Sequence, residues 1–529
     1  MATRKEPEAI EITLRFGGGI HSRASEDEID IRECVQGENF DLDIENKELK
    51  NRKPFDLIGQ LPNAQEIRGF VTLLKSDGTS SFLVQSGSIV YQWLGGVSFV
   101  QVGSVDSSAK IRGRKEHNWT LDDRVIITDI NLIQPVMEWD GTTLSNISFT
   151  NELGASFGTF RARYCAIKDE RVVFANIHDN GANFQHLIVG SKRSNYKQIT
   201  VVNKPASDVS EEDPFYMIQP DLKPVNSLVK IFGLLVTSSK SGDLFKIIGD
   251  SSQNFGIQDY FSDSGARGDE ALTQIGNDVI YGRAGRIESL ADTDRSGDVE
   301  TNDLTLAISD LVKDYNDWLI VYNSRLQRVY CFPNNYSELW VFHKTMAGSG
   351  VSPWAKWTTL SIVDFKPSAA LNMIDPVDGL EYVFFGDDVG NLYRLEGSGS
   401  GDAGSSNIRT SRLSALFKAP SSSDVFNFDG VVRYKKDKAF SLQVDLLIAG
   451  HTVDTQTVTI SMPQVVRNVY GGNAYFNGAF YYGSLSGKFS REKFGFSLQG
   501  QEFQIRLTTE ASVDFSISEL RLLFQATTV

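Results

Sequence analysis

The sequence predicts an all-β protein in which a β-propeller of six to eight blades, some of them irregular, precedes a C-terminal antiparallel β-sandwich. The chain of 529 residues contains 45 glycines and 33 phenylalanines but only 14 prolines, a composition typical of turn-rich β structure. Short apolar runs separated by glycine-containing turns recur between residues 65 and 396, and long alternating strands follow. With 41% hydrophobic residues, the chain has enough apolar surface for a sizeable core.

A repeat of about 50 residues indicates the propeller. Each unit consists of a strand, a tight turn and a second strand that carries a bulky residue. These marker residues follow one another at intervals of 46, 47, 59, 42, 53 and 53 residues. The interval fits blades of two to four strands, which must stack on neighbours to bury both faces. An irregular all-β protein with hairpins of similar length is the alternative. The markers are Trp93, Trp139, His186, Phe245, Ile287, Trp340 and Tyr393.

Composition divides the chain into four parts. Residues 1–60 are densely charged and predict an arm with short strands, and residues 61–396 carry the propeller repeat. The Gly/Ser-rich residues 397–406 predict a linker. Residues 407–529 alternate between apolar and polar positions, which favours the sandwich. One buried helix of about three turns is predicted from helical spacing. Its apolar stripe comprises Leu304, Ala307, Ile308, Leu311 and Val312.

The net charge of −15 disfavours general binding to nucleic-acid phosphates but suits a surface past which DNA slides without sticking.

Cys34, Cys165 and Cys331 are widely spaced and predict neither a disulfide framework nor a zinc site. The N-terminus has no apolar signal-peptide stretch, and no apolar run reaches the ~18 residues of a membrane span. Folding in the cytosol is therefore expected.

The segment from Asp292 to Asp303 matches the spacing of an EF-hand-type calcium loop. The candidate metal ligands are Asp292, Asp294, Ser296, Asp298 and Asp303. Position 12 is Asp where Glu is usual, and a strand-like segment precedes the loop. A polar turn that caps the following helix is therefore the alternative. Apart from this Ca²⁺, no cofactor is predicted.

Two further segments are candidates for contact with partners. The basic cluster Lys110–Trp119 could touch phosphate, but in so acidic a chain we favour pairing with acids of an adjacent subunit. The segment Val469–Gly483 carries six aromatic residues among glycines, which is typical of protein–protein contacts. A loop folded over its own sandwich is the alternative for the second segment.

No pattern of nucleophilic catalysis is present. The sequence lacks a GxSxG element, and its six histidines are scattered. Propellers are often glycosidases, but sequence alone cannot pair carboxylates across blades. We therefore expect a protein that is not an enzyme.

Several phrases resemble the tail tube or nozzle proteins of short-tailed bacteriophages. They are GGGIHSRASEDEIDIRECVQGENFDLD with NRKPFDLIG near the start, NWTLDDRVIITDINLIQPVMEWDGTT, DYNDWLIVYNSRLQRVYCFPNNYSELWVFHK and SPWAKWT in the middle, and FQIRL with FSISELRLLF at the end. The resemblance spans nearly the whole chain as a pattern with a few local phrases.

The resemblance implies a hexameric ring below the portal and adaptor rings of a virion tail, in contact with tail fibre or spike proteins. Such a ring retains packaged double-stranded DNA and conducts it during ejection, and it is assembled in the cytoplasm of the host bacterium. It carries no catalytic residues. A propeller-based receptor-binding or glycan-hydrolysing tail protein is the main alternative, and a monomeric scaffold of the WD type is the second.

Overall fold

A computed structural model describes residues 10–289, 302–462 and 489–527, apart from short gaps within these ranges. The described chain is almost entirely β-structure, arranged in antiparallel sheets. Five strands precede the propeller repeat. They are β1 Ile10–Leu14, β2 Cys34–Glu38, β3 Phe40–Leu42, β4 Leu49–Asn51 and β5 Asp56–Gln60.

Seven successive sheets form the blades. Blade 1 comprises β6 Ile67–Leu74, β7 Ser80–Ser86, β8 Ile89–Trp93 and β9 Phe99–Ser104. Blade 2 comprises β10 Ile111–Arg112, β11 Asn118–Trp119, β12 Arg124–Asp129, β13 Met137–Trp139 and β14 Leu144–Asn146. Blade 3 comprises β15 Phe160–Lys168, β16 Arg171–Asp179, β17 Ala182–Gly190 and β18 Phe215–Ile218. Blade 4 comprises β19 Val225–Ile231, β20 Leu234–Ser239, β21 Leu244–Ile248 and β22 Gly256–Phe261.

The remaining blades complete the ring. Blade 5 comprises β23 Leu272–Ile275, β24 Asp278–Arg283, β25 Arg286–Ser289 and β26 Asn302–Asp303. Blade 6 comprises β27 Trp318–Asn323, β28 Arg328–Pro333, β29 Glu338–His343 and β30 Trp354–Thr358. Blade 7 comprises β31 Ala369–Ile374, β32 Glu381–Gly386 and β33 Asn391–Arg394, and its fourth strand is β5.

The first strands of neighbouring blades lie side by side around a common axis, except that β12 of blade 2 contacts blade 3, and the first strand of blade 7 contacts that of blade 1. Strand β5 closes the ring because it pairs with β33, so the last blade contains strands from both ends of the repeat. The predicted boundary at residue 60 thus falls just after a propeller strand. Ring closure of this kind gives each blade a neighbour on both apolar faces.

The propeller prediction is confirmed, and the marker residues show why the repeat was visible. Each marker lies in the third strand of its blade, in the seven blades in order, when β10 and β11 are counted as two parts of one inner strand of blade 2. Trp93, Trp139 and Trp340 are almost fully buried there. The third strand therefore repeats a bulky residue that packs between adjacent blades.

Blade 2 has an irregular inner edge. Both β10 and β11 pair with β12, so the inner strand is interrupted after Gly113. Gly113 forms a parallel bridge with Val71 of blade 1, and a Cβ atom on Gly113 would lie 2.7 Å from Val71 Cγ1. Glycine permits this close approach of the two inner strands.

The predicted helix is shorter than expected. A 3-10 turn, Leu306–Ile308, leads into one α-helical segment, α1 Ser309–Val312. Ile308 and Val312 are fully buried, whereas Leu311 is 39% exposed. The prediction was wrong about length and about Leu311, because Leu304 N donates to Ile287 O at 2.9 Å and Asp303 Oδ1 accepts from Thr305 N, so that strand pairing and a turn occupy the start of the predicted helix. A second 3-10 turn spans Lys344–Met346.

The C-terminal strands belong to two six-stranded antiparallel sheets. One has the order β3-β4-β41-β36-β39, with β1 also on β41, and the other has the order β2-β34-β40-β37-β38, with β35 also on β40. The rings of Tyr434 and Phe440, one from each sheet, lie 5.8 Å apart. A sandwich made by residues 407–529 alone stays a prediction, since both sheets include strands from the first 60 residues. The C-terminal strands are β34 Ile408–Ser414, β35 Phe417–Lys418, β36 Val425–Lys435, β37 Phe440–Ile448, β38 His451–Met462, β39 Phe489–Leu498, β40 Glu502–Ala511 and β41 Ser516–Thr527.

The N-terminal segment covers the outer edge of blade 6. Ile20 N donates to Trp354 O at 2.9 Å, and Asn39 N donates to Lys356 O at 2.8 Å. The outer strand β30 therefore has backbone partners on both sides, which protects it from pairing with another chain.

Buried charges fasten the same segment to the Gly/Ser-rich stretch. Arg52 and Asp402 are each 1% exposed and form a two-pronged ion pair, with Arg52 Nη1 at 2.7 Å from Asp402 Oδ1. Gly397 N donates to Pro54 O at 2.7 Å, and a Cβ atom on Gly397 would lie 2.3 Å from the Asp56 carboxylate. The described part of this stretch is therefore packed against residues 52–56.

Candidate functional site

An axial cavity of about 660 Å³ opens on the propeller face where the first strands of the blades begin. Residues at or near the start of the first strand line it in every blade. Pro224, Pro333 and Pro367 give part of its wall a fixed backbone. The blade-by-blade residues are Glu66, Lys110, Arg163, Asn226, Glu270, Asp317 and Ser368.

Charges of opposite sign lie on opposite sides of the axial cavity. Blades 2, 3 and 4 contribute the cations Lys110, Arg163 and Lys240. All the described acids of the lining belong to blades 5, 6, 7 and 1, where Lys366 is the one described cation. These acids are Glu270, Asp317, Asp388 and Glu66. The cavity is therefore dipolar, with a cationic half and an acidic half.

An ion pair crosses the propeller axis at this cavity. Lys110 Nζ of blade 2 lies 2.7 Å from Glu270 Oε2 of blade 5, and the side chains are 25% and 14% exposed. Burial raises the pKa of Glu270, but the charges of Lys110, Arg112 and Arg114 outweigh this effect and lower the pKa overall. Glu270 is therefore held as a carboxylate.

Backbone contacts fix both partners of this pair. The buried Asp129 carboxylate accepts the backbone N–H of Lys110 at 2.7 Å and the N–H groups of three residues in the following turn. On the other side, Ile320 N of blade 6 donates to Glu270 O at 3.1 Å. The two charges thus project from anchored ends of β10 and β23.

Further cations lie deeper along the axis. Arg112 and Arg114 line a void of about 20 Å³ together with His117 and with Arg163, which also lines the cavity. Arg114 Nη1 also reaches across to Leu272 O at 3.5 Å. Burial, together with the charges of Arg112 and Arg114, lowers the pKa of His117 to about 3, so that this imidazole is neutral. The propeller axis is therefore occupied by side chains below the cavity.

Asn176 has a strained backbone, as does Asn335 in the same lining. It lies on β16 at a register shift between Ala175 and Ile177, with a left-handed φ of 57° and no exposed surface. Its Nδ2 donates to Val225 O at 2.8 Å, which fixes the orientation of the amide. Its Oδ1 is buried and has no hydrogen-bond partner in the part of the chain that the structure describes. Strained residues and unpaired buried acceptors are typical of ligand sites.

The described part of the basic cluster differs from the sequence interpretation. We expected Lys110–Trp119 to pair with acids of an adjacent subunit, or else to touch phosphate. Its described charges instead point into the propeller of the same chain, where Lys110 meets Glu270. Ring closure brings these residues together, and no local pattern could indicate it.

Most of the other predicted sites lie outside the described residues. This holds for Asp292, Asp294, Ser296 and Asp298 of the calcium loop and for the aromatic segment Val469–Gly483. The fifth candidate ligand, Asp303, uses Oδ1 to accept from Thr305 N at 2.8 Å and Thr305 Oγ1 at 2.7 Å. Within the described ranges, no group of three or more His, Cys, Asp or Glu residues could hold a metal ion.

The three cysteines are buried and are not disulfide-bonded. Burial raises the pKa of Cys34 to about 11 and also raises that of Cys331. These thiols are therefore protonated at neutral pH, and the thiolate is the reactive form of cysteine.

Among the described segments, no helix combines the length and the hydropathy of a membrane span.

Sequence reasoning missed the axial cavity. Its lining comes from all seven blades, and the residues at equivalent positions share neither type nor charge. Asn176 carries one weak signal, since it is a polar residue within the otherwise apolar run RVVFANI.

No family model and no curated protein matches this chain. Solved structures do match. The computationally designed Ika8 protein is 9% identical, with a TM-score of 0.33, over 64% of this chain and 99% of its own. The β-propeller domain of Cps50 (Swd1) from Myceliophteria thermophila is 9% identical, with a TM-score of 0.39, over 65% and 100%. The WD40 domain of Toxoplasma gondii coronin is 11% identical, with a TM-score of 0.38, over 68% and 86%.

Proposed function

We propose that this protein is a structural subunit of the tail of a short-tailed bacteriophage, a tube or nozzle component that is not an enzyme. Six copies form a ring below the portal and adaptor rings, bind tail fibre or spike proteins, and retain and conduct double-stranded DNA. The chain is assembled in the host cytoplasm and then resides in the virion tail.

One observation carries the proposal beyond the resemblance of the sequence. Asn39 joins the N-terminal segment to blade 6 and to a C-terminal sheet, because its Nδ2 donates to Thr358 Oγ1 at 3.0 Å and to Arg409 O at 2.8 Å. The buried Arg52–Asp402 pair joins the same segment to the stretch between blade 7 and the C-terminal sheets. A wall element under pressure from packaged DNA requires such a joint, because separate domains on flexible linkers would yield at the linker.

A second feature agrees with a channel between protomers. The Lys110–Glu270 pair and the arginines below it occupy the axis of the propeller, so DNA would pass along the ring axis, outside each propeller. A net charge of −15 per chain lets DNA slide along such a wall without persistent phosphate contacts.

Mass photometry and negative-stain microscopy of the purified full chain test this proposal, alone and with adaptor rings. We expect closed rings of six copies that join the adaptor. A strict monomer at every concentration, with no ring on addition of adaptor, would contradict the proposal and favour the WD-type scaffold. Arg193→Met, which removes an exposed pair with Glu170, is the control variant that should still form rings.

The axial cavity favours one second candidate, a propeller-based receptor-binding or glycan-hydrolysing tail protein. Its polar lining offers many hydrogen-bonding groups to a bound ligand. Incubation with bacterial surface polysaccharides distinguishes the two: turnover that is lost on a single substitution of Asp317 or Asp388 supports this candidate and contradicts the structural role.

A further inference from the structure

We infer that the axial cavity is a binding site for an extended peptide that carries both an ammonium (or guanidinium) group and a carboxylate. This site is independent of the ring proposed above, because it lies within one propeller. Its volume of about 660 Å³ falls within the range of sites that enclose small ligands and short peptides.

The distribution of charge selects the class of ligand. Arg163 and Lys240 face the cavity from blades 3 and 4, and Asp317 and Asp388 face it from blades 6 and 7. Lys110 and Glu270 already neutralise each other at the floor. The electrostatic attraction is therefore strongest for a ligand whose carboxylate lies toward blades 3 and 4 and whose cation lies toward blades 6 and 7. Nucleic acid offers only anions, and a neutral saccharide offers no charge.

Asn176 adds a specific requirement. Because Nδ2 is committed to Val225 O, the unpartnered Oδ1 can only accept, so the ligand must present a donor in the cationic half. A peptide meets this requirement beside a carboxylate, since a backbone N–H lies within a few bonds of the terminal or side-chain carboxyl group. A buried acceptor left unpaired is costly, and a ligand that donates to it recovers that cost.

Part of the cavity wall is held in place by proline residues and by a hydrogen bond. Pro224 and Pro333 come from blades 4 and 6 on either side of the acidic–cationic division, and Asn226 Nδ2 is held by Ala266 O at 2.9 Å. These fixed groups make the site largely preformed, which lowers the entropy cost of ordering a flexible peptide.

Saturation-transfer NMR on the full chain tests this inference with four pools of tetrapeptides: zwitterionic, acidic, basic, and uncharged with blocked ends. A fifth pool contains neutral oligosaccharides. We expect the zwitterionic pool to bind, with an affinity that falls as salt is raised. Binding by the oligosaccharide pool alone, by a singly charged pool alone, or by none of the pools would overturn the inference.

Variants identify the site. Asn176→Gly keeps a residue that accepts the left-handed backbone but removes the acceptor, and Lys240→Gln removes an exposed cation of the lining. We expect each substitution to weaken the binding of the zwitterionic pool about fivefold to tenfold. Gln327→Gly, at another left-handed position, and Lys313→Gln, an exposed lysine outside the cavity, are matched controls that should bind as the wild type does.

The readout separates binding from folding. Lys240→Gln alters an exposed side chain, so its thermal midpoint should equal that of the wild type and its binding data remain decisive even if Asn176→Gly unfolds. Unchanged affinity in Lys240→Gln would overturn the assignment to this cavity. Rings of six copies that bind no peptide would contradict this inference and leave the proposed structural role intact.

Discussion

Lys110 and Glu270 form an ion pair of 2.7 Å between blade 2 and blade 5, although 160 residues separate them in the sequence. The pair spans the axis around which the blades are arranged, and it forms the floor of the axial cavity. Its partners are anchored by backbone contacts from two further segments, the turn after Asp129 and the start of β27. The charge at the centre of the propeller is thus a product of ring closure.

Removal of one partner of this pair should destabilise the propeller. Lys110→Met leaves the Glu270 carboxylate in a poorly solvated position, and we expect the free energy of unfolding to fall by about 1–3 kcal/mol. Chemical denaturation measures it. The double variant Lys110→Met/Glu270→Leu should recover part of the loss, since it removes the unpaired carboxylate, and a double variant less stable than the single one would contradict this account.

The buried imidazole of His117 should make stability depend on pH. Burial and the charges of Arg112 and Arg114 lower its pKa to about 3 in the folded protein, compared with about 6.5 for an unperturbed histidine. Between these values the unfolded chain binds a proton that the folded chain does not, so stability falls as the pH decreases from about 6.5. His117→Gln should reduce the slope of unfolding free energy against pH by up to about 1.4 kcal/mol per pH unit between pH 4 and 6. At pH 8 the slopes of the wild type and the variant should agree, because His117 is then neutral in both the folded and the unfolded chain. Equal slopes at pH 5 would show that His117 is not the buried neutral group proposed here.

The Arg52–Asp402 pair should hold the N-terminal segment to the rest of the chain. Both side chains are 1% exposed, so Arg52→Met leaves a carboxylate enclosed without its main partner. We expect a loss of about 3–5 kcal/mol in the free energy of unfolding. Arg193→Met, in an exposed pair, should cost less than about 0.5 kcal/mol under the same conditions. Similar losses of unfolding free energy in the two variants would show that burial of the Arg52–Asp402 pair does not determine its contribution to stability.

Gly19 should be required where the N-terminal segment meets blade 6. A Cβ atom there would lie 2.1 Å from Trp354 O and 2.8 Å from Ser352 O, and backbone atoms cannot move aside cheaply. We expect Gly19→Ala to destabilise by about 2–4 kcal/mol and to increase proteolysis within residues 1–60. Gly256→Ala is the matched control, because its nearest neighbour would lie 3.8 Å away. If the control loses as much stability as Gly19→Ala, the close contact is not the cause.

The calcium prediction is tested by chelation. If the loop from Asp292 to Asp303 binds Ca²⁺, then EGTA should lower the thermal midpoint of the full chain, and added Ca²⁺ should restore it. Asp292→Asn and Asp294→Asn together should abolish this response. A midpoint that ignores EGTA would favour the alternative of a polar turn, with which the Asp303–Thr305 hydrogen bonds agree.

The sequence by itself determined the propeller and its period. Trp93, Trp139 and Trp340 recur in third strands because each blade buries a bulky residue against its neighbour, and such a requirement is local and repeats along the chain. The positions of the turns followed from glycine and aspartate residues that accept a positive φ. The length of α1 could not be predicted, since Leu304 N pairs with Ile287 O of the distant strand β25 and so draws the first residue of the predicted helix into the sheet.

Only the tertiary structure decided where distant charges meet. Arg52 and Asp402 lie 350 residues apart, and Asn176 faces a cavity to which all seven blades contribute. Such contacts depend on the closure of the ring and on the return of the N-terminal strands to the last sheets. Neither event leaves a periodic trace in the sequence, because each involves single residues whose partners come from elsewhere in the chain.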